Sequence, residues 1–413
     1  MIKTDVCIVG AGPAGASTAL FLNKYGIDCI LIDKSKFPRD KVCGDALSGK
    51  IPNLLKRLDP QVLNRLTQKV DVLTDVWGCK FVMPNGIHLD VPFLRNTEKT
   101  HANAPGFVAK RMDFDNFLIE EVRRCECINY IDETEVTKIQ KINGGYFIQD
   151  KSGNLEVETQ LLIVADGAHS KFARHQAGFE KDNAHHAGAL RAYYENVTGF
   201  HEDNFIELHF INDIIPGYFW IFPLPNNQAN VGLGMRTDYI SKRRVNLKKT
   251  MLDVIENHPT IAPRFKNAKL LDKIVGYGLP LGSKKRVLSG DHYMIVGDAA
   301  HLIDPLTGEG IGNGAYSGWI AAEQAVECLK QKDFSAQFMR AYDVRIQRVL
   351  GKEMKISYQI QRLMNYPRIV NPLAKIIHNN PKFFELMSRM YTDMELRQQI
   401  VRPTFWVKTL LGR

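Results

Sequence analysis

The first 33 residues constrain this chain more than any other stretch. Asp5-Val-Cys-Ile-Val9 is a continuous apolar run of strand type, and Gly10-Ala-Gly12-Pro-Ala-Gly15 follows it without a gap. Ala16 to Tyr25 reads as a helix, and Cys29-Ile-Leu-Ile-Asp33 as a second, parallel strand. Glycines at this spacing between a strand and a helix have separate tasks. The first makes a tight turn, the second lets the backbone approach a pyrophosphate, and the third lets the helix pack on the sheet. An acid closing the second strand is placed to take ribose hydroxyls, so Asp33 completes a dinucleotide-binding unit.

Two later stretches repeat the strand–acid–glycine arrangement. Leu161 to Ala165 runs into Asp166-Gly167, with Arg174 just beyond, and Tyr293 to Val296 runs into Gly297-Asp298. The second continues through Gly308-Glu309-Gly310-Ile311-Gly312 into a helix read over Asn313 to Leu329. A helix start carries about half a positive charge and leaves its first N–H groups without internal partners. It suits a phosphate or an electron-rich ring oxygen, while Asp298 can accept from sugar-alcohol hydroxyls.

These edges lie far apart in the chain, which predicts an α/β fold (α+β overall) with a discontinuous Rossmann-type nucleotide domain over 1–70, 101–180 and 276–330. Within residues 71–100, Asp71 to Val91 alternates around Gly78 and the Pro84-Asn85-Gly86 turn, and within 181–275, His185 to Gly234 is strand-rich. They are expected to form an inserted antiparallel β-sheet substrate domain, although Lys242 to Leu271 reads as helical. Residues 331–413 are expected to be a helical C-terminal region.

The polar loop Phe37 to Leu47 holds Arg39 and Lys41, which can reach phosphates, and Gly44, which allows a flat ring to approach. Cys43 has two readings: a small buried apolar residue, or a residue against that ring. Tyr218, Trp220 and Phe222 share one face of a strand. They read either as core between sheet and helices or as the wall of an apolar ligand tunnel.

Composition narrows the remaining choices. No apolar run approaches the roughly 20 residues of a membrane-spanning helix, and strand-type residues begin almost at Met1. Seven cysteines, scattered and odd in number, favour a reducing cytosol and no metal site. The formal charge of +9 is uneven: from Arg345 to Arg413, 13 Lys and Arg face four acids. With no nucleic-acid motif, this region reads equally as a solvated helical face or as a surface attracted to anionic lipid. The ending Phe405-Trp406 to Arg413 mixes aromatic and basic residues as interfacial segments do, and as docked termini also do.

On these residues the chain resembles the geranylgeranyl reductase family, a branch of the FAD-dependent enzymes with the p-hydroxybenzoate hydroxylase fold. Gly10-x-Gly12-x-x-Gly15, Asp166-Gly167 and Gly297-Asp298 carry the superfamily likeness over roughly residues 4–330. Pro38-Arg39-x-Lys41-x-Cys43-Gly44-Asp45 and Tyr218-x-Trp220-x-Phe222-Pro223, followed by Gly232-x-Gly234, carry the branch. Asp33 departs mildly from the more common Glu, and nothing after about Lys330 can be matched.

The resemblance implies that FAD is held by Gly10, Gly12, Pro13, Ala14, Gly15, Asp33, Lys34, Arg39, Arg111, Val136, Asp166, Gly167, Gly297 and Asp298. The turn Gly308, Gly310, Ile311 and Gly312 would lie against the flavin, with Cys43 and Gly44 near the ring as tentative catalytic positions. Tyr218, Trp220, Phe222 and Pro223 would bind an isoprenoid chain. The implied activity is reduction of carbon–carbon double bonds in a prenyl or related lipid, with NAD(P)H or a reduced ferredoxin as electron donor. The rivals are an FAD-dependent monooxygenase or halogenase-like enzyme acting on an aromatic or lipid substrate, and an FAD-bound membrane-associated protein without turnover. No acid stands out as proton donor; His301 and Glu309 are merely close to the motif.

Overall fold

Ile2–Val9 is the central strand of a parallel sheet, and its last four residues are fully covered. It pairs with Cys29–Ile32 on one side and Glu156–Val164 on the other, with Ile128–Ile131 and Tyr293–Ile295 outside them. Strands buried on both faces read as continuous apolar runs, which is why Val6 to Val9 and Leu161 to Val164 lack alternation. Across the sheet the five parallel strands run 128–131, 29–32, 2–9, 156–164, 293–295. The order in which strands are added therefore reverses between those ending at Val9 and Val164, and a crevice opens beyond such a switch point. A hairpin, Val136–Ile142 with Gly145–Asp150, is added antiparallel to the early half of Glu156–Val164. The computed structural model describes residues 1–94 and 98–366, with 368, 371, 372 and 375.

Helix Pro13–Lys24 begins directly at the glycine turn. Gly10 has φ +105°, and a Cβ there would stand 2.2 Å from the Ala165 carbonyl oxygen, so strand, turn and neighbouring strand close only around a glycine. The helix packs on Ile311–Gln331 through small residues: Gly318 lies so near the Ala14 carbonyl that a Cβ would come within 2.3 Å of it. Phe21 and Trp319 close the same contact with ring centroids 6.2 Å apart.

The second large sheet runs Lys269–Leu270, His186–Glu195, Gln228–Arg236, Gly217–Leu224, Ile206–His209, Gly78–Val82, His88–Pro92. Its pairs are antiparallel apart from Ile206–His209 with Gly78–Val82. Val275–Pro280, read from sequence with the nucleotide segments, pairs along His186–Glu195 in this sheet. Its glycines, Gly276 and Gly278, leave no apolar rhythm from which a pairing partner can be inferred. The stretch Lys242 to Leu271 also differs from the expectation. Helices Thr237–Arg243 and Leu247–Asn257 end early, and the last residues form an edge strand.

Alternation along Gly217–Leu224 sorts its side chains. Phe219 and Ile221 join Val231 and Leu233 in a core beneath Met251, Val254 and Ile255 of Leu247–Asn257. Trp220 and Phe222 face the other way, in a second cluster. A three-stranded sheet, Ala46–Leu47, Gly106–Val108 and Thr74–Val76, lies between the large sheets. The C-terminal segments are Ala336–Ile346, a π turn at Gln347–Gly351, and Lys352–Leu363. The aromatic-basic ending Phe405 to Arg413 lies outside the described residues. Among the described residues no helix is long and apolar enough to cross a membrane, and no side-chain cluster could hold a metal ion.

Candidate active site

Both large sheets face one cavity of roughly 1030 Å³. Its walls include Gly12, Pro13 and Ala14 from the glycine turn, Cys43 and Gly44 from the polar loop, and Arg111, Gly167, Gly297 and Asp298. Gly308, Gly310 and Ile311 contribute from the helix approach, and Tyr218, Trp220 and Phe222 from the aromatic strand. These sequence-derived positions come together. Others do not reach the wall. Lys34 is exposed, Val136 lies on the added hairpin, Pro223 alternates to the far face, and Asp33, Arg39, Asp166 and Gly312 stand behind or beside the lining residues.

Several local devices shape the nucleotide side. Asp33 accepts from the Ala11 N–H at 2.6 Å and the Ser35 N–H at 2.8 Å, so its carboxylate ties the glycine turn to the second strand. A Cβ at Gly12 would meet only Arg39 Nη2, at 3.9 Å, which leaves open space directly before the helix. No side chain caps that helix, and no acid stands in its first turn. Helix Ile311–Gln331 also starts without a side-chain cap or an acid. Two uncapped helix starts on one cavity offer N–H groups and partial positive charge to a ligand with phosphates and an electron-rich ring. The Asp304 carboxylate accepts from the Leu306 and Thr307 N–H groups, a local turn that leads into Gly308 at φ +72°.

Arginines and lysines stand in this wall, as Lys41 and Arg111 do, or behind it, as Arg39 does. Asp115 is buried and accepts from Arg111 Nε and Nη2 at 2.7 and 2.6 Å and from Arg39 Nη1 at 2.9 Å. Lys41 Nζ lies 2.9 Å from Asp298 Oδ2. Burial alone would raise the Asp298 carboxyl, but Lys41, with Arg111 and His301, holds it below the ordinary aspartate value.

The aromatic side meets the nucleotide side directly. The Tyr218 hydroxyl donates to the Thr307 carbonyl, and a Cβ on Gly44 would press on Phe222 at 3.2 Å. Tyr218 and Trp220 are 6.1 Å apart between centroids, and Trp220 and Phe222 are 6.2 Å apart. The two readings of this strand thus merge: Trp220 is packed in a core cluster and still lines the cavity. Cys43 is half-buried; burial pushes its thiol up, against the nearby Arg111 charge, and keeps it neutral at ordinary pH.

Sequence reasoning passed over a polar network at the junction. The Trp220 indole donates to Asn230 Oδ1 at 2.8 Å, and Asn230 Nδ2 donates to the Cys43 carbonyl at 2.8 Å and to Asp45 Oδ2 at 2.7 Å. The Tyr193 hydroxyl donates to the same Asp45 oxygen at 2.6 Å, and the Arg191 guanidinium lies 4.0 Å from the Tyr193 ring centre. Burial raises the Asp45 carboxyl to about 6, although Tyr193, Asn230 and the Arg191 and Arg111 charges all pull it down. The one local signal was an Asp after Gly44, held at φ +67°, a conformation Asp tolerates better than most residues. His301 is not on the cavity wall, and burial with Arg286 and His186 lowers it to about 3. Glu309 is on the wall but is engaged by Ser48 and Lys50.

Residues 3–322 match the FAD binding domain family. The digeranylgeranylglycerophospholipid reductase of Thermoplasma volcanium is 30% identical over 346 residues, 82% of each chain. Among solved structures, a geranylgeranyl bacteriochlorophyll reductase-like protein of Thermoplasma acidophilum superimposes with a TM-score of 0.78 at 25% identity, covering 97% of this chain and 96% of that one. A flavin-dependent brominase has a TM-score of 0.76 at 20% identity over 97% of this chain and 98% of its own, a likeness of fold. A glycine turn open for a pyrophosphate, two uncapped helix starts and these likenesses agree: the chain belongs to the FAD-binding domain family and, within it, to the geranylgeranyl reductases, FAD-dependent oxidoreductases.

Proposed function

We propose that the protein reduces carbon–carbon double bonds in a prenyl or related lipid chain. The observation that carries this reading is the shared cavity: an aromatic wall of Tyr218, Trp220 and Phe222 faces the same roughly 1030 Å³ space as the open glycine turn and Asp298. An alkene chain offers no polar group and has little but such an apolar wall by which to be held.

In this reading Gly12 and the start of Pro13–Lys24 take the pyrophosphate, with Asp33 holding the turn and accepting ribose hydroxyls as its own bonds rearrange. Asp298, now paired with Lys41, takes ribityl hydroxyls, and the start of Ile311–Gln331 faces an electron-rich ring edge. Cys43 and Gly44 lie beside the ring, and Gly44 leaves the room that the Phe222 contact shows to be scarce. Bound FAD, once reduced by NAD(P)H or a ferredoxin, supplies a hydride to one alkene carbon. The chain's own work is to align the alkene, exclude water through the aromatic wall and bring a proton to the other carbon. A lipid of this kind is met at a membrane surface, and a peripheral contact is part of the proposal.

The test is anaerobic. The reduced protein is mixed with a geranylgeranyl lipid in detergent, and flavin reoxidation is followed with mass analysis of the lipid. Reoxidation with a gain of two hydrogens per bond is expected. Reoxidation only after oxygen is admitted, with an oxygenated product, would overturn the reading.

A further inference from the structure

Helix Lys352–Leu363 lies outside the nucleotide-binding segments, yet its covered face is bound to them by polar groups. The buried positions are Met354, Ser357 and Gln361, with Met364 just past the helix end, at the spacing of one helix face. Apolar residues are expected at all four, because a buried polar group costs free energy unless it is bonded. Ser357 and Gln361 are bonded, and both to the same place. The Ser357 side chain hydrogen-bonds the Asp304 carboxylate, and Gln361 Nε2 donates to the Pro305 carbonyl. One helix turn before Ser357, Glu353 Oε2 takes the Lys50 ammonium at 2.9 Å. Lys50 also donates to Asn313 Oδ1 at 2.8 Å and pairs with Glu309 Oε2 at 3.4 Å. Burial would lower the Lys50 ammonium, but Glu309 and Glu353 hold it above the ordinary lysine value, so it stays charged.

The segment that these contacts grip is Asp304 to Glu309. It closes on itself: the Gly308 N–H donates to the Asp304 carbonyl at 3.0 Å, and the Asp304 N–H to the Glu309 carbonyl at 2.9 Å. Asp304, Thr307, Gly308 and Glu309 line the cavity, and the segment leads into the helix start at Ile311. A small loop closed by its own bonds keeps its shape, but its place against a ligand is set by what packs behind it. Here that support is the helix. The helix is itself seated at two other points. A Cβ on Gly282 would stand 2.4 Å from Met354 Sδ, and Met364 joins the cluster of Trp220 and Phe222.

We propose that helix Lys352–Leu363 is a brace for the flavin-facing turn, with Lys50, Ser357 and Gln361 as its positioning residues, so that seating FAD and docking this helix are coupled. This rests on the placement of the turn against the flavin in the reading above, and not on the identity of the lipid. Such coupling is reciprocal: the factor by which the docked helix tightens FAD is the factor by which FAD tightens helix docking.

Hydrogen exchange with and without FAD reads both ends of the coupling. FAD should slow exchange in the amides of Asp304 to Gly312 and also in Lys352–Leu363, while Leu247–Asn257, behind the antiparallel sheet, stays unchanged. Gln361→Met keeps the volume and removes Oε1, an acceptor without a partner among the described residues. The melting temperature of the FAD-free variant should therefore stay within about 2 °C of wild type. Its Kd for FAD should rise roughly fivefold to tenfold, the worth of one hydrogen bond. A residue that merely held the fold together would move both quantities in step, and that outcome would strike Gln361 from the brace. Lys50→Met removes the cation between Glu309 and Glu353; it should weaken FAD by about tenfold or more and abolish the FAD-dependent protection of the helix. Lys355→Gln, on the exposed face of the same helix, should change neither. Protection of the turn without the helix, or a Kd within about twofold of wild type in both Gln361→Met and Lys50→Met, would overturn the proposal. The Gln361 variant decides if Lys50→Met does not fold. A turn that FAD leaves unprotected would instead remove the flavin placement on which the proposal stands.

Discussion

The parallel sheet and the antiparallel sheet build opposite walls of one cavity, and they do so by different means. On the parallel side the wall is backbone: a glycine turn, two helix starts and tightly bonded carboxylates, with Asp33 spent on the Ala11 and Ser35 amides. On the antiparallel side the wall is side chains, three aromatics from one strand and a polar network drawn from its neighbours. A backbone wall is closed to a Cβ where strand and helix meet, as at Gly10 and Gly15, whereas a side-chain wall can be retuned by substitution without losing the fold. That division suits an enzyme whose cofactor is constant and whose lipid must be selected.

The largest expected effect separates two glycines in the same motif. Gly12→Val should yield folded protein without yellow colour, because the new side chain fills space left open for a pyrophosphate. Gly15→Val should yield no folded protein, since a Cβ there would lie 1.8 Å from the Gly10 carbonyl oxygen. Visible absorbance and circular dichroism of both proteins check the pair; equal outcomes would break the distinction between an open and a closed glycine.

Next in size is Asp115→Ala, which leaves Arg39 and Arg111 without their shared buried partner. Loss of one member of such a group costs about 3–5 kcal/mol, readable by denaturant titration. A surface pair such as Lys36 with Glu133, both well exposed, should cost under about 1 kcal/mol.

On the aromatic wall, Trp220→Phe keeps a ring but removes the donor to Asn230. A buried acceptor left unmatched costs about 1–3 kcal/mol, and turnover should fall about tenfold or more while flavin content holds. An equal loss of flavin would show that the two walls are less separate than described.

The smallest effects concern two buried acids of opposite sign. Glu207, bonded to His209 and to Arg264 through both oxygens, is held below the ordinary glutamate value, since these partners outweigh the burial that would raise it. Its contribution to stability is present above the unfolded value and is lost as pH falls through the folded one. Asp45 is raised, so the folded protein keeps a proton that the unfolded chain releases. Stability there falls as pH rises from 3.8 towards about 6. Melting temperature against pH for Glu207→Gln and Asp45→Asn should flatten opposite limbs of the profile; the same limb flattened by both would contradict the assignment.

Local patterns carried a great deal of this. Strand, glycine triplet, helix and acid lie within one short run, and each has a physical task that does not depend on distant residues. The alternation of Tyr218, Trp220 and Phe222 likewise put three rings on one face before any partner was known. Sequence could not say whether that face was core or cavity, and the answer is that it serves as both.

What the sequence determined by itself is the nucleotide-binding unit, the three strand–acid–glycine edges and the aromatic face, because the information for each sits within a helix turn or a strand's period of two. What only the tertiary structure decided is which residues meet across strands. Asn230 lies opposite Phe222 and Tyr193 by sheet register, and Asp45 reaches Asn230 and Tyr193 through a loop whose course no periodicity predicts. Val275–Pro280 found its sheet in the same way. Register between distant strands is set by the packing of whole faces, so the carboxyl that those strands surround became visible only when the faces had closed around it.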